Sequence, residues 1–115
     1  MPRARRLARR AELARCLAEG QRRRVGPLEV IWSDNAAGHP RMGLIVPKFH
    51  ESAVARNRLR RRLREIWRRE LQGRQGARDL IIRARREAYR TPFGQLRAEL
   101  RRWADAVLTP RQGGE

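Results

Sequence analysis

Between residues 55 and 69 the chain reads ARNRLRRRLREIWRR, in which eight arginines, Asn57 and Glu65 are threaded through four large apolar residues. A guanidinium is planar and permanently charged. It grips a phosphate through two parallel N–H bonds and stacks on flat rings, so the chemistry on offer is recognition of a polyanion. Projected at 3.6 residues per turn, Ala55, Leu59, Leu63, Ile66 and Trp67 share one face. Asn57, Arg60, Arg61, Arg64 and Arg68 gather opposite, with Arg56, Arg58, Arg62 and Arg69 flanking them. A disordered basic tail has no reason to place its large apolar residues at helical spacing, so the pattern predicts a helix over about 53–71. A merely solvated face would mix signs. Arginines four apart, such as Arg60 and Arg64, repel one another and weaken a helix unless phosphates sit between them. The wide minor groove of RNA and the major groove of DNA both fit such a surface.

The whole chain leans the same way. Its 115 residues carry 29 basic and 12 acidic side chains, a formal charge of +17, and all the basic residues but Lys48 are arginine. Self-repulsion at this level opposes compaction unless a counter-charged partner relieves it. Yet 40% of the residues are hydrophobic, which does not force disorder. The length suits a single polyanion-binding domain over 1–115, folded over 8–108 and frayed at 1–7 and 109–115. No apolar run approaches about 18 residues, and the opening MPRARRLARRAELARCLAEG lacks an uninterrupted hydrophobic region, so a cytoplasmic protein without a membrane partner is expected. Cys16 has no second cysteine and sits among helical apolar positions, which reads as core. His39 and His50 lie in loop-like stretches without a ligand partner, so no metal site is expected. GxSxG, P-loop and HExxH motifs are absent, and pairs such as Glu65 and Arg69 read as ordinary helix salt bridges. No catalytic residue of the polypeptide's own is expected.

The elements that must position the basic helix follow from periodicity and turn chemistry. Residues 8–19 form an amphipathic helix with Leu13, Cys16 and Leu17 on one face and Gly20 as its stop. QRRRVG leads into PLEVIWS, where Leu28, Val30 and Trp32 alternate with Glu29, Ile31 and Ser33 as a strand. After the turn-rich DNAAGHP, RMGLIVPK reads as a second strand, and the two are expected to pair as an antiparallel hairpin. GRQG ends the long helix and RDLIIRA (78–84) is a third strand. Thr91 and Pro92 are the expected N-cap and first residue of a last helix whose face is Phe93, Leu96, Leu100, Trp103, Ala104 and Val107. The order is α-β-β-α-β-α, an α/β (α+β) two-layer fold in which helices pack on a small sheet.

The segment AVARNRLRRRLRE (53–65) closely resembles the A-V-x-R-N-R-hydrophobic-basic-R signature of the protein subunit of bacterial ribonuclease P. RRAELARCLAEG, PRMGLIVPK, RDLIIRAR and FGQLRAELRR resemble that family's first helix, the strands before and after the signature helix, and its last helix, in the right order. The resemblance implies a small mixed sheet with a left-handed β-α-β crossover, where sequence alone suggests the right-handed default. It implies a role in freeing the mature 5′ end of tRNA: the RNA subunit performs Mg²⁺-dependent hydrolysis, and the basic protein screens RNA charge, helps bind metal and holds the single-stranded 5′ leader of precursor tRNA. No cofactor is expected on the protein alone, and no DNA partner. Carried over by position, Arg56, Asn57 and Arg58 are the signature residues. Arg60, Arg61, Arg64, Arg68 and Lys48 extend the RNA-facing surface, and Leu13, Leu17, Ile31 and Lys48 itself fall in the leader cleft.

The chain departs from the family pattern at several positions. Leucines stand at 13 and 17 where aromatics are usual, so the leader contacts are expected either to be weaker or to rely on neighbours such as Trp32 or Phe49 for stacking on unpaired bases. Before the signature, PKFHES replaces a usual S-K-K-x-G-x, so Pro47 stands for Ser, Phe49 for a basic residue and Glu51 for Gly. The alternative reading is a structural RNA-binding protein of the ribosomal type. A helix-mediated DNA binder comes third, because no heptad or helix-turn-helix segment supports it.

Overall fold

The computed structural model describes Arg6 and residues 10–108. The expected helix start at residue 8 and the expected frayed ends, Arg6 apart, lie outside the described residues. Helix α1 (Arg10–Glu19) leads into β1 (Gln21–Val25) and β2 (Leu28–Asp34), followed by β3 (Arg41–Ile45). Helix α2 (Ala53–Ile66) continues through a π-helical turn, Trp67–Leu71, into the α-helical turn α3 (Gln72–Gln75). Then come β4 (Arg78–Ala84), a 3₁₀ segment (Arg86–Arg90) and α4 (Phe93–Val107).

QRRRV is a strand, although only Val25 of its five residues is buried. It pairs antiparallel with β2 from Gln21↔Trp32 to Val25↔Leu28. The two-residue connection has Gly26 at φ 57° in its first central position, where hairpin turns favour glycine. The hairpin expected between β2 and β3 is therefore absent. Both strands pair with β4 instead, β2 antiparallel and β3 parallel, in the order β1-β2-β4-β3. The cause lies in β4, whose consecutive Leu80, Ile81 and Ile82 are all buried. A strand apolar on both faces belongs in the middle of a sheet.

Helices cover both faces of this mixed sheet. On one face Leu28, Val30, Met42, Leu80 and Ile82 pack with Leu59, Leu63 and Ile66 of α2 and Leu96, Leu100 and Trp103 of α4. On the other, Ile31 and Ile81 meet Cys16 of α1, flanked by Leu13, Leu17 and Ile45. Gly20 ends α1 by donating its N–H to Cys16 O at 2.8 Å. A Cβ at Gly20 would lie 2.6 Å from Cys16 O and 2.8 Å from Trp32 O, both backbone atoms. Gly20→Ala is therefore expected to cost about 1–3 kcal/mol, read as a lowered melting temperature, because α1 must lift from the sheet.

The long helix passes its expected end and reaches Gln75. Leu59, Leu63, Trp67, Leu71 and Gln75, spaced by four, are all buried. At 3.6 residues per turn such a row drifts by about 40° per step, and the wider π turn takes back part of that drift. Gln75 is then fully used: its Oε1 accepts from Trp67 Nε1 at 2.7 Å, and its Nε2 donates to Arg41 O at 2.8 Å and Arg78 O at 2.7 Å. One amide thus ties the helix end to the starts of β3 and β4. Thr91 does not cap α4. Its hydroxyl donates to Glu87 O at 2.7 Å within the 3₁₀ segment, and Pro92 takes the cap position without a side-chain bond.

Candidate nucleic-acid interface

Helix α2 is anchored at both levels that matter for its arginines. Ser52 Oγ accepts from Ala55 N at 3.0 Å as the N-cap, and Leu59, Leu63 and Ile66 fix the rotation of the helix by being buried. That rotation sorts the polar residues into three rows. Arg56, Arg60 and Arg64, half-buried, form the flank towards β3. Asn57, Arg61 and Arg68, exposed, form the crest, and Arg58 and Arg62 form the opposite flank. Arg56 also works structurally, since its Nε donates to Val46 O at 2.7 Å just after β3.

The carboxylates are distributed unevenly. Among the described residues Arg56, Arg58, Arg60, Arg61, Arg62 and Arg64 have no carboxylate partner. Acidic side chains pair elsewhere: Glu65 with Arg68 and Arg69, Glu70 with Arg97 and Arg101, Glu99 with Arg102, Asp105 with Arg74, and Asp79 and Glu12 with Arg41. Partial burial pushes the pKa of Arg60 down, and the neighbouring charges of Arg64 and Arg56 push it further. The helix therefore holds this flank at an electrostatic cost. Arg68, expected on the same surface, is partly neutralised, since Glu65 Oε2 lies 2.8 Å from its Nη2.

Lys48 is exposed in the loop that enters α2. In that loop Glu51 N donates to Lys48 O at 2.7 Å, closing a turn whose central residues Phe49 and His50 have φ of 49° and 67°. The left-handed positions thus fall on Phe49 and His50, and not on Glu51 where the family pattern has Gly. Such a conformation is costly for a bulky residue and persists only where its surroundings hold it. Here the 3₁₀ segment does the holding. The Phe49 ring meets Tyr89 edge-on at 6.4 Å and lies 5.4 Å beneath the Arg86 guanidinium, and Arg90 pairs with Glu51 at 3.3 Å. The Tyr89 hydroxyl donates to Pro47 O at 2.7 Å.

The residues expected to form a leader cleft separate into two groups. Leu13, Leu17 and Ile31 come together between α1 and the sheet, with Ile31 fully buried and the leucines half-buried beside it. Trp32 points to the opposite face, where its ring meets Trp103 at 5.2 Å, and Phe49 sits against the 3₁₀ segment. On the face of Ile31, Glu29 bridges Arg22 at 3.7 Å and Arg83 at 3.1 Å. Parity with Ile81 signals Arg83 in the sequence, whereas Arg22 carries no such signal and is placed only by the ladder, where it lies opposite Ile31. Arg41 sets the pose of α1 by donating to both oxygens of buried Asp79, at 2.8 and 3.0 Å, and to Glu12 at 2.9 Å. The hydrogen bond to Asp79 is the main reason the pKa of the Arg41 guanidinium rises.

Among the described residues no three His, Cys, Asp or Glu side chains come together to hold a metal ion, and no helix is long and apolar enough to cross a membrane.

A family model described as Ribonuclease P matches residues 1–107. The ribonuclease P protein component of Brucella suis is 40% identical over 122 aligned positions, which cover 96% of this chain and 84% of that protein. Among solved structures, a Staphylococcus aureus RNase P protein mutant superposes with a TM-score of 0.83 at 26% identity, covering 92% of this chain and 91% of that one. The RNase P protein from Thermotoga maritima gives a TM-score of 0.77 at 25% identity, over 89% and 96% of the two chains.

Proposed function

The chain belongs to the ribonuclease P protein family, which implies partnership with the RNase P RNA in a tRNA-processing ribonuclease, and from that premise we propose how its surfaces divide the work. The flank and crest of α2 dock on the RNA subunit through Arg56, Arg58, Arg60, Arg61 and Arg64, with Asn57 exposed among them. The observation that carries this reading is the set of six guanidinium groups without carboxylate partners on three turns of one helix. Phosphate is the ligand that offsets their mutual repulsion, and neutralising it screens the RNA. The ribosomal-type alternative accounts for the charge but not for family membership.

The groove between α1 and the sheet holds the single-stranded 5′ leader of precursor tRNA. Leu13 and Leu17 supply apolar contact, and Arg22 and Arg83 supply charge. Hydrolysis is the work of the RNA subunit with its Mg²⁺ ions, the polypeptide adding binding energy and positive field rather than a reacting group. The protein then acts in the cytoplasm with precursor tRNA as its second partner. The test is affinity of the RNA subunit for precursor and for leaderless tRNA, with and without the protein. The expected result is a preference for the precursor that appears only with the protein. Equal affinities in its presence would refute the leader assignment.

A further inference from the structure

The flank of α2 turned away from β3 faces the 3₁₀ segment across a groove that the docking surface above touches only through Arg58. Arg58 and Arg62, one turn apart, line it from α2 with Leu59, and Tyr89 and Arg90 line it from the 3₁₀ segment. Arg58 and Arg62 have no carboxylate partner among the described residues. Glu51, also in the lining, is paired with Arg90. The aromatic ring is held from two sides, its hydroxyl donating to Pro47 O at 2.7 Å and its flank meeting Phe49 at an interplanar angle of 87°. A preformed ring sharing a groove with guanidinium groups matches an unpaired nucleotide, which presents a flat base and flanking phosphates. A duplex has no free base face to offer it, and an acidic peptide would leave the ring without a stacking partner.

We propose that this groove is a second RNA-binding site that takes one unpaired nucleotide, its base against Tyr89 and its phosphates between Arg58, Arg62 and Arg90. The proposal rests on the RNA-partner reading and extends it, because α2 then engages RNA on both flanks at once. The left-handed turn at Phe49 and His50 gains a purpose in this arrangement: it brings the Phe49 ring onto Tyr89 and so fixes the stacking surface.

The nucleotide comes from the RNA subunit or from precursor tRNA, and ultraviolet crosslinking of the assembled holoenzyme distinguishes them when each RNA is labelled in turn. The expected result is a crosslink to the Tyr89 peptide from one labelled RNA. Binding to that RNA is then measured for three variants whose melting temperatures are checked first. Tyr89→Leu is expected to weaken binding about fivefold or more. Tyr89→Phe, which keeps the ring but loses the bond to Pro47, stays within about twofold of wild type. Arg62→Gln lowers the log–log salt slope by about 0.7–0.9. If Tyr89→Leu does not fold, the crosslink and the Arg62→Gln slope decide alone. The proposal is overturned by an absent crosslink, by an unchanged slope, or by Tyr89→Phe losing as much as Tyr89→Leu, which would make the ring an anchor of the loop only. Each of these leaves the effect of the opposite flank, Arg60 and Arg64, intact. Failure of the RNA-partner reading would instead abolish both.

Discussion

Replacing Arg60 and Arg64 together by glutamate is expected to weaken binding to the RNase P RNA about a hundredfold or more at physiological salt. Each hydrogen bond to a charged group contributes about 1.5–3 kcal/mol, and two are lost before any repulsion is counted. The log–log salt slope should fall by about 1.4–1.8, because each phosphate contact releases about 0.7–0.9 of a counterion. The fold should survive. Neither side chain has a carboxylate partner to lose, and the repulsion between Arg60 and Arg64 is exchanged for a repulsion between two carboxylates at the same spacing. New opposite-charge pairs four residues apart, Arg56 with position 60 and position 64 with Arg68, offset it. The melting temperature should therefore hold while affinity falls. An unchanged slope would mean that this flank does not meet phosphate.

The second large effect concerns stability. Gln75→Leu strands the Trp67 indole N–H and withdraws a donor from the carbonyls of Arg41 and Arg78. Gln75 is 1% exposed, so water cannot replace the amide without opening the structure. At about 1–3 kcal/mol per stranded group the cost is about 3 kcal/mol or more, a large share of the roughly 5–15 kcal/mol that holds such a domain together. Thermal melting should fall by about 12 °C or more. Gln75→Glu serves as the control. It keeps the acceptor for Trp67 but loses both donors and buries a charge, so it should be no more stable than the leucine variant. A loss below about 1 kcal/mol in Gln75→Leu would show that the amide network does not hold the helix end.

These two sites differ in how far the sequence reveals them. Helix α2 was legible because leucines and isoleucine at helical spacing determine which arginines point outward. Periodicity put Leu13, Cys16 and Leu17 on one face of α1, but it was the family resemblance that set Leu13 and Leu17 beside Ile31, which they meet. Strand β1 was not, because Gln21, Arg22, Arg23 and Arg24 carry no apolar alternation and are held by backbone pairing alone. The expected β2–β3 hairpin failed for a related reason: nearness in sequence stood in for pairing, while the doubly buried Leu80-Ile81-Ile82 already required β4 to lie between two strands. Trp32 could have been placed correctly, since adjacent strand residues face opposite ways and Ile31 was assigned to the α1 side. Gln75 and Asp79 are a different case. A buried amide or carboxylate looks like a surface residue until its partners, up to 44 residues away, are brought to it.

The central claim is that this protein lets an RNA enzyme work where RNA alone is hindered by its own charge. The most direct measurement is cleavage of precursor tRNA by the RNase P RNA at low Mg²⁺, with this protein added or omitted. The account predicts that the mature 5′ end appears rapidly with the protein and only slowly without it, and that the Arg60 and Arg64 double reversal behaves much like omission. Equal rates with and without the wild-type protein would contradict it.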